Sequence, residues 1–177
     1  MMAVSAFHRV RQFLSALLAR VSPDDLREAD SVLPPGAQKL FRKMSLPDQR
    51  HSIAVMRTLR RRGHAEPELL AAALLHDVGK SAAWLTPVHR TVIVLSKRFA
   101  PPVLAWLTSG EPRREAWRKP FIIHLRHPDL GAQWAAEAGC SALTVSLIRR
   151  HQTPLRHEPQ NKEERLLAAL QQADGIN

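Results

Sequence analysis

The stretch Leu69-Leu70-Ala71-Ala72-Ala73-Leu74-Leu75-His76-Asp77-Val78-Gly79-Lys80 constrains the fold of this chain more than any other. It follows Pro67, reads as an apolar helix and ends on a histidine and an aspartate. Two metal-ligand side chains at the end of a hydrophobic helix place polar chemistry against a core, a costly position unless something binds there. Leu69, Ala73, His76, Asp77 and Lys80 follow the i, i+4, i+7, i+8, i+11 stripe, so the doublet and the lysine face one site. Gly79 allows the backbone to turn or to approach a ligand closely.

Nearly every other periodic segment also reads as helix. After the break Pro34-Pro35-Gly36 a short helix is expected from Ala37 to Lys43. Ser45 and Pro47 then start a helix that runs to Arg62 and ends at Gly63, with His51, Val55 and Leu59 on one face. A further helix is expected to open near His127-Pro128, with Gly131, Trp134 and Ala138 on the face of the histidine. Ser141 caps the next, which aligns Thr144, Leu147, Ile148 and His151. Asn161 with Glu164 resembles a capping box for the last, where Leu167, Leu170 and Asp174 align. Each candidate ligand therefore lies on the inward stripe of its own helix. The expected architecture is an all-α bundle. An N-terminal amphipathic helical segment (1–36) precedes a main domain (37–177), into which residues 82–120 are inserted as two short helices and a basic loop.

At 177 residues the chain suits one domain with a sizeable core. Its 26 Lys and Arg against 16 Asp and Glu should draw phosphate-bearing ligands, nucleic acid or anionic lipid. The basic residues are spread over several helices without a binding motif, which disfavours nucleic acid. Cys140 is the only cysteine, so no intramolecular disulfide forms, and a small buried thiol in a reducing, cytoplasmic compartment is expected. Arg9, Arg11 and Arg20 interrupt the apolar stripe of residues 1–21, which reads as an amphipathic helix rather than a signal peptide. No stretch approaches the ~18 apolar residues of a membrane span. His8, His64, His89 and His157 are expected at the surface, and Trp84, Trp106, Trp117 and Trp134 in the core.

Imidazoles and carboxylates together suit a first-row divalent ion such as Mn, Fe, Co, Ni or Zn, whereas calcium takes mostly oxygens. The order His51, His76-Asp77, His127, His151, Asp174 resembles the HD-domain metal-dependent phosphohydrolase superfamily. The likeness is to the subgroup whose doublet reads His-Asp-Ile-Gly-Lys, with Val78 in the isoleucine place, and it covers about residues 40 to 177. It implies a first metal held by His51, His76, Asp77 and Asp174, and a second, bridged by Asp77, held by His127 and His151. His127 is preferred over His124 because a small residue, Gly131, follows one turn on. Some dinuclear relatives carry a further histidine where this chain has Gln152.

The implied activity is hydrolysis of a phosphomonoester or phosphodiester, of a nucleotide or cyclic dinucleotide. Asp77 and Lys80 would act at the reacting centre, and Lys80, Arg113, Arg114 and Arg118 would hold the phosphates of the substrate. The Glu-Asp pair of guanosine-tetraphosphate hydrolases and the Gly-Tyr-Pro signature of one cyclic di-GMP phosphodiesterase group are both absent. Two other readings stay open: a regulatory or binding module that keeps the fold without turnover, and peripheral contact of the N-terminus and the insertion with anionic lipid.

Overall fold

Proline, serine and asparagine set where the helices begin. The computed structural model describes residues 21–83, 86–109 and 116–177. The expected helix over residues 1–21, together with His8, Trp84, Arg113 and Arg114, lies largely or wholly outside them. Helix α1 is Pro23–Asp30, α2 Pro35–Lys43, α3 Leu46–Arg61 and α4 Pro67–Leu75. Helices α5, Pro87–Phe99, and α6, Pro101–Thr108, fall within residues 82–120, the segment expected to be an insertion. Helix α7 is Lys119–Glu137, α8 Ala142–Arg150 and α9 Lys162–Ile176. Ser22, Ser45, Thr86, Ser141 and Asn161 each accept the backbone N–H three residues on. Proline occupies the first turn of α1 through α7, where its missing N–H costs nothing. The described residues contain no strand, so the fold is all-α.

Helix α4 is buried along its whole length from Leu69 to Leu75. A helix that is apolar all round is stable only inside, and full burial of each of its leucines contributes about 1.5–3 kcal/mol. It is enclosed by α3, α8, α9 and α2. Ala29 and Leu33 belong to the same core as Phe41, Leu59 and Leu147, so the described part of the 1–36 segment packs into the bundle. The insertion has a separate small core, Ile93, Leu107 and Phe121, through which α5 and α6 rest on the first turn of α7.

Several details depart from the sequence reading. Helix α4 stops at Leu75, and a 3-10 turn, Val78–Ala82, carries the chain past the doublet. Helix α7 begins at Lys119 and runs through Pro128, rather than opening at His127-Pro128. Trp106 and Trp117 are exposed, not in the core, and Trp134 is only half-buried. Glu164 accepts the N–H of Gln160 rather than that of Asn161, so only half of the expected capping box forms.

Candidate metal centre

Five elements converge on the end of α4. His76 continues the helical backbone at φ −54° and ψ −32°, and Asp77 turns it at φ −99° and ψ 1°. The 3-10 turn then lies flat against α7. A Cβ on Gly79 would stand 2.1 Å from the carbonyl oxygen of His127 and 2.9 Å from the nitrogen of Gly131, so only glycine permits this approach. The contact brings Asp77 to His127, while α8 delivers His151 from its C-terminus, α3 delivers His51 and α9 delivers Asp174.

Three histidines are oriented by the same local device. The Nδ1–H of His76 donates to the carbonyl of Ala73 (2.9 Å), that of His127 to His124 (2.5 Å) and that of His151 to Ile148 (2.7 Å). Ala73 and Ile148 lie among the last four residues of α4 and α8, whose carbonyls have no partner within the helix. The carbonyl of His124 is spare for another reason: its helical donor would be the nitrogen of residue 128, and Pro128 has no N–H. A carbonyl can only accept, so each ring carries a proton on Nδ1 and turns its Nε2 toward the centre.

Those Nε2 atoms gather around the carboxylate of Asp77. Its Oδ1 lies 3.3 Å from His127 Nε2 and 3.9 Å from His151 Nε2, and its Oδ2 lies 3.5 Å from His76 Nε2 and 2.5 Å from Lys80 Nζ. Asp174 Oδ1 is 2.8 Å from His51 Nε2 and 3.4 Å from His76 Nε2. The ligand atoms form two groups that share Asp77: His51, His76 and Asp77, and Asp77, His127 and His151.

The donor set fits a divalent ion. The Nε2 atoms of His127 and His151 face each other at 3.3 Å. Two nitrogens bound tetrahedrally at about 2.1 Å to one ion would be about 3.4 Å apart. The Nε2 of His76 is buried without a hydrogen-bond partner, although two carboxylates lie beside it, and such an orphan is costly unless it ligates.

Charge in the centre is strongly biased. Burial opposes ionisation of Asp77, but His76, Lys80 and His127 outweigh it and hold the carboxyl well below the usual range. Burial likewise opposes charge on His76, yet Asp77 and Asp174 raise its pKa. That negative field attracts any cation, proton or metal. His151 is different: burial first, then the charge of His76, pushes it down to about 3, so it stays neutral and able to ligate. Burial opposes ionisation of Asp174, but the hydrogen bond from His51 and the neighbouring His76 outweigh it and keep the carboxyl ionised.

Of the residues singled out in the sequence, His51, His76, Asp77, His127, His151, Asp174 and Lys80 are brought together. Arg118 is placed elsewhere. It is buried, donates to the carbonyls of Leu107 (3.3 Å) and Ser109 (2.6 Å) and to Ser109 Oγ (2.8 Å), and stacks 4.7 Å from the ring of Trp106. These interactions pin α6 to α7 instead of presenting a cation to substrate. His124 contributes its carbonyl, and burial followed by the neighbouring His127 pushes its own ring down to about 4. Gln152, which the sequence marks only as a departure from some dinuclear relatives, brings its amide to 3.4 Å from His127 Nε2, and the part played by Pro128 was missed. A His-x-x-His-Pro string within one helix was the available signal for the latter. Comparison with protein-family models, curated proteins and solved structures finds no match to this chain.

Proposed function

We propose that this chain is an HD-domain metal-dependent phosphohydrolase that cleaves a phosphomonoester or phosphodiester, of a nucleotide or cyclic dinucleotide. The observation that carries this reading is the divided carboxylate of Asp77, one oxygen toward His127 and His151 and the other toward His76 and Lys80. A carboxylate between two imidazole sets is suited to bridging two divalent ions, with His51, His76 and Asp174 on one side and His127 and His151 on the other. When bound, such ions lower the pKa of a water for attack on phosphorus and take up the charge that develops there.

The protein's own groups supply the rest. The three Nδ1–H bonds hold the rings aimed at the centre, which limits reorganisation. Burial of His76, Asp77, His127 and His151 keeps bulk water from screening the charges of the centre. Lys80, partly buried at Asp77, has further donors to offer a phosphate oxygen as a point charge. The substrate reading rests on the resemblance of the ligand order, on the net charge of +10 and on this donor set.

The test is metal analysis of purified protein, followed by a phosphate-release screen over nucleotides and cyclic dinucleotides with Mn. Asp77→Ala should abolish turnover and metal retention together and remove the stabilisation that bound metal confers. Protein that takes up none of Mn, Fe, Co, Ni or Zn would refute the metal site. Protein that is metal-replete yet releases no phosphate from any substrate would replace the enzyme with the regulatory module.

A further inference from the structure

The insertion buries one face and leaves the other bare. Ile93 and Ser96 of α5 and Leu107 of α6 are buried, and Ile93 and Leu107 join Phe121 in the small core on α7. On the remaining surface of α5, Val88, Val94, Leu95 and Phe99 are 70%, 62%, 51% and 74% exposed. Val103 and Trp106 of α6 are 48% and 56% exposed, and Trp117, 59% exposed, leans on Trp106 with ring centroids 5.7 Å apart. Single exposed apolar residues need no explanation, but a set of this size on two adjoining short helices marks an interaction surface.

The charge of this part of the chain is mostly basic. Residues 82–128 contain eight Lys and Arg against two Glu, which is more than half of the chain's positive excess on about a quarter of its length. Lys97, Arg98, Lys119 and Arg126 are exposed, and the guanidinium of Arg98 sits 5.4 Å over the ring of Phe99. A second copy would bring two like-charged faces together. The combination of exposed aliphatics, tryptophans and surrounding basic residues is instead that of a helix lying in a membrane interface, where indoles sit at headgroup level.

We propose that the outer face of α5 and α6 docks on an anionic lipid bilayer, with Val94, Leu95, Phe99, Val103 and Trp106 entering the headgroup boundary and Lys97, Arg98, Lys119 and Arg126 facing the lipid phosphates. This holds whether or not the centre turns over phosphoesters, because it rests on the insertion alone.

Co-sedimentation of the full chain with vesicles of phosphatidylcholine alone, and with about 30% phosphatidylglycerol added, tests it. Binding is expected only to the anionic vesicles, and should fall sharply between about 0.1 M and 0.5 M salt as the Debye length contracts from about 10 Å to roughly 4 Å. Leu95→Ser with Phe99→Ser, and separately Lys97→Glu with Arg98→Glu, should each lower partitioning at least about tenfold. Metal content and melting temperature should not change, since none of the four touches the centre or the main core. Absence of binding to anionic vesicles would overturn the proposal. So would binding that survives both double variants, which would place the contact elsewhere in the chain. A monodisperse dimer that both doubles convert to monomer, with vesicle binding unaltered, would assign the face to a second copy.

Discussion

Gly79→Ala probes the contact on which the joining of the two ligand groups depends. The added Cβ would stand 2.1 Å from the carbonyl oxygen of His127 and 2.9 Å from the nitrogen of Gly131. Both are backbone atoms of α7, so no rotamer change relieves the clash, and the 3-10 turn must move from the helix by about 1 Å to reach normal contact. Overpacking of this kind costs about 1–3 kcal/mol, and a purely backbone collision belongs at the upper end. In a domain of this size about 3 kcal/mol lowers the melting temperature by roughly 6–12 °C. Asp77 moves with the turn and His127 stays with α7, so their 3.3 Å separation widens, whereas His51, His76 and Asp77 remain together. The expected result is a large loss of stability in chelator and a fall from about two bound ions to about one, read by calorimetry and elemental analysis. Gly175→Ala is the control: it neighbours Asp174, nothing lies within 4 Å of its Cβ, and replacing a helical glycine there should stabilise by up to about 1 kcal/mol. A Gly79→Ala protein that melts within about 1 °C of wild type and keeps its metal content would refute the reasoning.

Three further variants separate the layers of the fold and site. Pro128→Ala restores an N–H that can take the carbonyl of His124, so α7 should gain stability while His127 loses its Nδ1 partner and affinity for the second ion drops about 10- to 100-fold, measured by metal titration. His151→Ala should leave the fold intact but reduce metal stoichiometry by one, with a rate loss on the order of 100-fold if both ions act on the same water. Arg57→Ala breaks the contacts of α3 with Glu28 (2.6 Å) and Asp25 (2.6 Å) on α1, and because the guanidinium is nearly half exposed the loss should be only about 1 kcal/mol by denaturant unfolding. Its pH dependence is signed: the backbone N–H of Ser22 and then Arg57 hold Asp25 below its ordinary value despite burial, so this stability is present above about pH 4 and disappears as the pH falls through the depressed pKa. Wild type and Arg57→Ala should therefore converge in acid.

The helix starts were legible because they rest on chemistry within a few residues: Ser45, Ser141 and Asn161 cap, and Pro67 pre-sets the first turn. The ligand positions were legible because spacings of three, four and seven residues keep a side chain on the inward stripe of whatever helix forms. What escaped was decided by partners distant in the chain or by exceptions to local rules. Arg118 reads as a solvated loop charge, yet two tryptophans and two carbonyls make burial favourable. Trp106 and Trp117 read as core by size, yet the small core of Ile93, Leu107 and Phe121 takes Val92 and Leu104 against it and leaves both indoles exposed.

Pro128 is the instructive case. A proline following a histidine reads as the first turn of a helix, because inside a helix it forfeits one hydrogen bond and costs about 3 kcal/mol. In α7 the forfeited acceptor does not go unsatisfied, since the ring of His127 donates to the carbonyl that Pro128 leaves open. His76 and His151 reach the same arrangement without a proline because the ends of α4 and α8 already provide spare carbonyls. His127 lies eight residues inside α7, where no helix end is near. A mid-helix histidine with its tautomer fixed toward Asp77 thus requires a local break in the backbone pattern, and the helix can absorb that break only because the imidazole replaces the bond it removes.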